Sequence, residues 1–305
     1  MPDCGNVDIW HDNGTNMTIR MRFFTYVALI LFLSQSGGLA AQQAATDYAI
    51  DGVGAAYADI ADLVVNAPVI VDGKIKKTTK ISVQQAVGIL PNHQRLLVEA
   101  DVITLIRGQN GITAKVKFVV DVPKNTRDKF PKLNKQRVFI MADIVKGRPG
   151  QLQLVRADAL VRYSADNDAM VRAIAKEAVL LDAPGRITGI ASAFHSAGTV
   201  IGEGETQIFL STENRQPVSI SVVSRPGAPK QWSVSTSELI EETTSTPTRF
   251  TLLWYRLACG LPKALPAELV QSGEGENAAR AQGDYKFVAD ALGPCGRKRQ
   301  YPPAK

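Results

Sequence analysis

The feature that most restricts the fold of this sequence is a double run of period two. From Leu96 to Arg107 the even positions are Leu96, Val98, Ala100, Val102, Thr104 and Ile106. From Thr113 to Val122 they are Ala114, Val116, Phe118, Val120 and Val122. A side-chain period of two belongs to a strand buried on one face and does not suit a helix. Gly108-Gln109-Asn110-Gly111 separates the runs and predicts a hairpin. For both even sets to share one core, opposed residues must have the same parity, so the loop must be odd in length. A three-residue loop, Gln109-Asn110-Gly111, with Gly111 in the left-handed position, meets that condition. The expected register pairs Ile106 with Ala114, Thr104 with Val116 and Val102 with Phe118. On the outer face it sets Leu105 opposite Lys115 and Ile103 opposite Lys117, with Asp101 diagonal to Lys117.

Other segments extend the pattern. Ala55 to Asn66 has near-helical apolar spacing, broken by Pro68. Val69 to Ile81, Arg137 to Ile144 and Gln151 to Val155 read as further strands, so the first part predicts a small barrel-like lobe of five strands. Asp168 to Leu181 reads as a helix, with Ser164 or Asn167 as its cap and Pro184-Gly185 as its end. Beyond it, Ile187 to Phe194, Thr206 to Leu210, Val218 to Val223 and Trp232 to Val234 predict a second antiparallel meander. Two short helices, Thr251 to Cys259 and Asp284 to Leu292, follow, with Gln271 to Gly283 expected as a mobile loop between them. The fold class is therefore mainly β (α+β). It comprises an N-terminal barrel-like lobe (42–164), a linking helix (165–184) and a second β lobe with C-terminal helices (185–305).

The N-terminus predicts export. Arg20 and Arg22 precede an apolar run from Phe23 to Leu33, followed by small residues up to Ala40 and Ala41. These are the three parts of a signal peptide, with cleavage expected near Ala40 or Ala41, and the run is too short to span a membrane. The acidic residues before Met17 do not suit such a leader, which places the expected start at Met17 or Met21. Residues 42–305 then carry a net charge of +7, since 1–41 hold two basic and three acidic residues of the chain's 35 and 29. No later stretch reaches membrane-span length. Cys259 and Cys295 remain, and in an oxidising compartment they predict a disulfide that joins the two C-terminal helices.

Several blocks carry a resemblance. They are Gln94-Arg95-Leu96-Leu97-Val98-Glu99-Ala100-Asp101, Gly204-Glu205-Thr206-Gln207-Ile208-Phe209-Leu210 and Leu253-Trp254-Tyr255-Arg256-Leu257-Ala258-Cys259-Gly260-Leu261-Pro262. Together they resemble an uncharacterised family of exported proteins from sphingomonad-type alphaproteobacteria. The resemblance implies export and carries no activity, cofactor or site residue.

The sequence offers no catalytic residues, metal ligands or cofactor motif. It lacks a His-Glu-x-x-His helix, a zinc-spaced Cys/His cluster and a Gly-x-Ser-x-Gly elbow. His195 lies near Ser192 and Ser196 but is expected at a turn or sheet edge, without a partner to orient it. Gly202-Glu203-Gly204-Glu205 reads as a hairpin turn, because its glutamates would repel phosphate. Charge is the remaining signal. Between Lys74 and Arg137 fourteen basic residues face four acidic ones. The expected register gathers Arg107, Lys115 and Lys117 on one outer face, with Lys74 and Lys76 on the preceding strand. Such a face attracts anions. The sequence thus predicts a periplasmic or outer-membrane-peripheral protein, leaning away from enzymatic activity. Its basic lobe would bind an anionic envelope component (lipid headgroup, lipopolysaccharide or acidic glycan) or a partner protein. Nucleic acid is disfavoured, because no aromatic platform lies between the basic residues. The alternatives are a structural or assembly component of the envelope and a hydrolase with dispersed catalytic residues. The Arg297-Lys298-Arg299 run is expected to be a solvated tail.

Overall fold

The computed structural model describes residues 55–125, 128–236, 246–271 and 275–299. The leader, with its cleavage point near Ala40 or Ala41, lies outside those residues. The described chain is mostly β, with two antiparallel sheets and four α-helices. Helix α1 (Tyr57–Val64) precedes strands β1 (Val69–Lys80), β2 (His93–Arg107), β3 (Lys115–Pro123), β4 (Arg137–Ile144), β5 (Leu152–Leu154) and β6 (Leu160–Arg162). Helix α2 (Ala165–Glu177) follows, and Ser164 caps it by accepting the amide N–H of Asn167 at 3.1 Å. The second sheet holds β7 (Ile187–Ala197), β8 (Gly204–Thr212), β9 (Val218–Ser224) and β10 (Gln231–Ser235), and the chain continues into α3 (Leu252–Gly260) and α4 (Glu276–Leu292).

The first sheet runs in the order β3-β2-β1-β4-β5, with β6 also pairing β4. It curls until β3 and β5 meet through a parallel bridge, Lys117 to Gln151, and the Lys117 N–H donates to the Gly150 carbonyl at 2.7 Å. The barrel expectation is corrected to this extent: the sheet is curled and not closed. With only three residues, β5 cannot carry a ladder that would seal the seam. The inward set is the one that alternation selects, with Val98 and Ala100 of β2, Val116, Phe118 and Val120 of β3, and Val138 and Ile140 of β4 all buried. The middle of β4 is buried on both faces, because Phe139 and Met141 are covered as well. Phe139 lies against the ring of Tyr163, and Arg137 stacks on that ring while gripping the fully buried Asp72 through both carboxylate oxygens, at 2.9 and 2.6 Å.

The second sheet is a simple meander, β10-β9-β8-β7. Segment 270–271 lies along the outer edge of β7, where the Gln271 N–H donates to the Ala193 carbonyl at 2.7 Å. Covering an edge in this way removes a template for pairing with another chain. Helix α4 packs on β7 and starts at Glu276, well before the expected Asp284, so 276–283 is helical and not a mobile loop. Trp254 of α3 donates its indole N–H to the Leu292 carbonyl at 2.9 Å, and the Tyr285 hydroxyl donates to the Pro262 carbonyl. The disulfide Cys259–Cys295 forms and ties the end of α3 to the segment after α4. Closing a loop of that size contributes about 4 kcal/mol by the chain-entropy model. Buried side chains of both sheets and all four helices belong to one contiguous apolar cluster.

The Arg297-Lys298-Arg299 run is not a solvated tail. Asp59 of α1 is fully buried and accepts the backbone N–H of Lys298 and of Arg299, in addition to that of Ala56 at its own helix start. Arg297 grips Asp62 through both carboxylate oxygens, and the guanidinium of Arg299 reaches the carbonyls of Asp158 and Leu160. Basic residues that read as solubilising in sequence here fasten segment 297–299 to α1 and β6.

Candidate functional site

The basic face exists in altered form. The hairpin register is shifted by four residues from the expected one, with parity kept: Ala100 pairs with Val116 and Val98 with Phe118. Residues 108–114 lie outside both strands, and residues 103–107 of β2 pair with β1 alone. Lys115 therefore opposes Asp101, and Lys117 opposes Glu99. Lys117 approaches Glu99 at 3.6 Å, and Lys76 approaches Asp101 at 3.1 Å. Lys74 also pairs across from Asp101. The structure thus brings Lys74, Lys76, Lys115 and Lys117 to one exposed face and sets two carboxylates among them. Exposed pairs of this kind contribute about 0–1 kcal/mol each, but they lower the field that the face presents.

Arg107 leaves this set. Its Nη1 donates to the carbonyls of Val64 and Ala67 at 2.7 and 3.2 Å, and its Nη2 donates to Ala175 at 2.9 Å. It fastens the C-terminal ends of α1 and α2, and burial lowers its pKa from the ordinary arginine value. As a ligand-binding residue Arg107 is corrected to a structural one, since its Nη1 and Nη2 donors are directed to backbone carbonyls at the C-terminal ends of two helices.

A second group of exposed lysines lies at the end of the sheet where β1 finishes and β2 begins. Loop 81–92 is held by its buried Ala86 and by Arg95, whose Nη1 donates to the Val87 carbonyl at 2.9 Å. The same guanidinium grips both oxygens of Asp121 at 2.6 and 2.7 Å. The tips of the loop are apolar and face solvent, with Val83 82% and Val87 83% exposed and Leu90 exposed beside them. The β3–β4 connection lies alongside. The Lys124 N–H donates to the Asn92 carbonyl at 3.0 Å, the Thr78 hydroxyl donates to the Asn134 side-chain oxygen at 2.9 Å, and buried Leu133 anchors the segment. Phe130 is exposed on it. Lys77, Lys80, Lys129, Lys132 and Lys135 are exposed at this end, and Lys124 is half-buried. Among the described residues of the two loops the only carboxylate is Asp128, paired with Lys124 at 2.9 Å.

His195 is placed on β7, an edge strand of its sheet, but it is buried under α4 and its side chain is only 2% exposed. The expectation that nothing orients it is also corrected. The Thr206 hydroxyl donates to Asp284 Oδ2 at 2.5 Å, so its oxygen is left to accept from His195 Nδ1 at 2.8 Å. Lys230 Nζ holds the other carboxylate oxygen at 2.5 Å. Gly204 is required beside the ring, because a Cβ there would stand 2.7 Å from His195 Cε1 and Nε2. Burial lowers the His195 pKa, the Asp284 charge opposes that shift, and Arg280 and Lys230 reinforce it. The hydrogen bonds among the buried His195, Thr206 and Asp284 link two strands to α4. In the unfolded chain the imidazole returns to its ordinary value near 6.5. Between that value and the lower folded one the unfolded state binds more protons, so stability falls as pH falls through this window. His195→Gln, which keeps a side-chain hydrogen bond within reach of Thr206, is expected to flatten that part of the slope in thermal melts between pH 7 and pH 5. A slope identical to that of the parent chain contradicts this role.

No family model matches the chain. A search of curated proteins finds no similar one either. The functional reading therefore rests on geometry alone. Among the described residues no helix is long and apolar enough to cross a membrane, and no group of three or more His, Cys, Asp or Glu side chains is placed to hold a metal ion. Sequence reasoning passed over Val83, Val87, Leu90 and Phe130. The signal was present as apolar residues in two turn-forming segments, but only the topology puts those segments at one end of the sheet.

Proposed function

We propose that this chain is an exported, non-enzymatic protein that docks onto an anionic lipid surface through the end of its first sheet. The observation that carries this reading is the combination at that end of exposed apolar tips on one loop with a surround of lysines. Surface-seated proteins use apolar side chains at the headgroup boundary and cations that meet anionic headgroups, each lysine contributing about 1 kcal/mol. An exposed apolar cluster rimmed mainly by lysines is uncommon without an interaction to cover it. Export is supported by the disulfide, which persists in oxidising compartments. The remaining lysines of the β1–β3 face, Lys74, Lys76, Lys115 and Lys117, add to the attraction at longer range.

Co-sedimentation of the chain from residue 42 onward with lipid vesicles tests the proposal. Binding to vesicles containing phosphatidylglycerol is expected, with little binding to pure phosphatidylcholine and a steep loss as salt rises. Equal binding to both vesicles, or to neither, would contradict it.

A further inference from the structure

A cleft of about 580 Å³ opens where the end of α1, the start of β7, the β8–β9 turn and the end of α3 converge. The volume is that of a small-molecule site. It includes no residue of loops 81–92 or 124–136, so what it binds is independent of the lipid-docking proposal. Its walls are set by close packing and covalent chemistry. Gly260 lets α3 close on β7, since a Cβ there would lie 2.9 Å from the Ile187 Cβ, and the disulfide at Cys259 fixes the segment that brings Arg297 to the rim.

Three guanidinium groups border the cleft, and two are committed. Arg297 donates from Nε and Nη2 to the two oxygens of Asp62 at 2.6 and 2.9 Å, and the Tyr255 hydroxyl donates to the same carboxylate at 2.6 Å. Arg186 pairs with Glu213 at 3.1 Å. Arg256 differs. Its Nε donates to the Pro184 carbonyl at 3.1 Å, and among the described residues no carboxylate oxygen lies within 4.0 Å of it. It is half-buried, and desolvation lowers its pKa against the pull of Tyr255 and the nearby carboxylates. A partly desolvated cation without a counter-ion is costly, and a bound anion offsets that cost.

Charge and shape narrow the ligand. Arg297 with Asp62 and Arg186 with Glu213 each balance, which leaves the single charge of Arg256. One net positive charge suits a monoanion better than a dianion. The planar guanidinium fork matches a carboxylate through parallel N–H donors. Asn66, whose amide nitrogen donates to the Asp62 carbonyl at 2.8 Å, and Glu213 line the same space, and side chains of these types suit ligand hydroxyls. We infer that this cleft binds a small hydroxylated organic monocarboxylate, with Arg256 as its bidentate anchor.

Nuclear magnetic resonance titration of the 15N-labelled chain from residue 42 onward tests the inference. The probes are glucuronate, glucose as its neutral counterpart, and inorganic phosphate, largely a dianion at about pH 8. Glucuronate is expected to give saturable shifts at the Gly260 amide and the Arg256 Nε–H. Glucose should give none, and phosphate should bind at least about tenfold more weakly, one tenfold being about 1.4 kcal/mol. Arg256→Gln and Arg256→Lys are both expected to weaken glucuronate binding at least about tenfold, the lysine because it keeps the charge but loses the fork. No saturable shift with glucuronate, phosphate binding tighter than glucuronate, or undiminished binding in a folded Arg256 variant would each overturn it. The three wild-type titrations decide the matter by themselves if neither variant folds.

Discussion

Replacing Asp59 with alanine is expected to cost roughly 4 kcal/mol of unfolding free energy, since each buried donor left without a partner costs about 1–3 kcal/mol. The side chain is fully buried and accepts the N–H of Ala56, Lys298 and Arg299. Its loss would uncap α1 and release the basic segment from that helix in one step. Urea unfolding of the two proteins measures the cost. Deleting everything after Gly296 removes the same junction from the other side, together with the Arg297 and Arg299 contacts. The two changes should therefore be strongly non-additive when combined, as residues of one network are. Additive losses would mean that Asp59 does not act through the tail.

The second large effect concerns docking. Changing Lys77, Lys80 and Lys129 together to alanine is expected to weaken binding to phosphatidylglycerol vesicles by about 3 kcal/mol, or about a hundredfold, at about 1 kcal/mol per lysine. Val83→Ser with Val87→Ser is expected to weaken it by a similar amount, because seating a valine in the headgroup boundary contributes about 1.5 kcal/mol or more. All five side chains are exposed, so the melting temperature should not move. The two variants separate two kinds of anion. A polyanionic glycan such as heparin would still hold the valine variant, whereas a lipid surface requires both sets of residues.

The strands were legible in sequence because period two is a direct consequence of one-sided burial, and β4 was expected over the residues it occupies. Register was less legible. Parity allowed several odd loop lengths, and Gly111 suited a three-residue turn, whereas the last β2–β3 pair, Asp101 with Lys115, leaves thirteen residues between the paired parts. The choice depends on β1, which takes the last residues of β2 for itself. Strand β6 was missed, since three residues are too few for a period to show. The early start of α4 was hidden by a Gly- and Ser-rich segment and by Gly283 inside the helix. The larger misreadings concern charge. Arg107, Arg297 and Arg299 look like surface cations in sequence, yet their donors close carbonyls and carboxylates supplied from far along the chain. His195 similarly has one partner on the neighbouring strand and the other on the last helix. The sequence contained the two loops that make up the proposed docking end, but their adjacency follows from strand order and could not be read from composition.

The most direct test of that docking end is to find which part of the molecule meets the lipid. In the chain from residue 42 onward, which lacks Cys4, the two cysteines are held in the disulfide, so a cysteine introduced at Val87 or at Ile201 can take an environment-sensitive fluorophore selectively. Ile201 is 98% exposed and lies on the β7–β8 turn of the other sheet, which makes it a matched control. On addition of phosphatidylglycerol vesicles the label at 87 is expected to shift to the blue while the label at 201 stays unchanged. A shift at 201 alone, or the same response at both positions, would contradict docking through the first sheet.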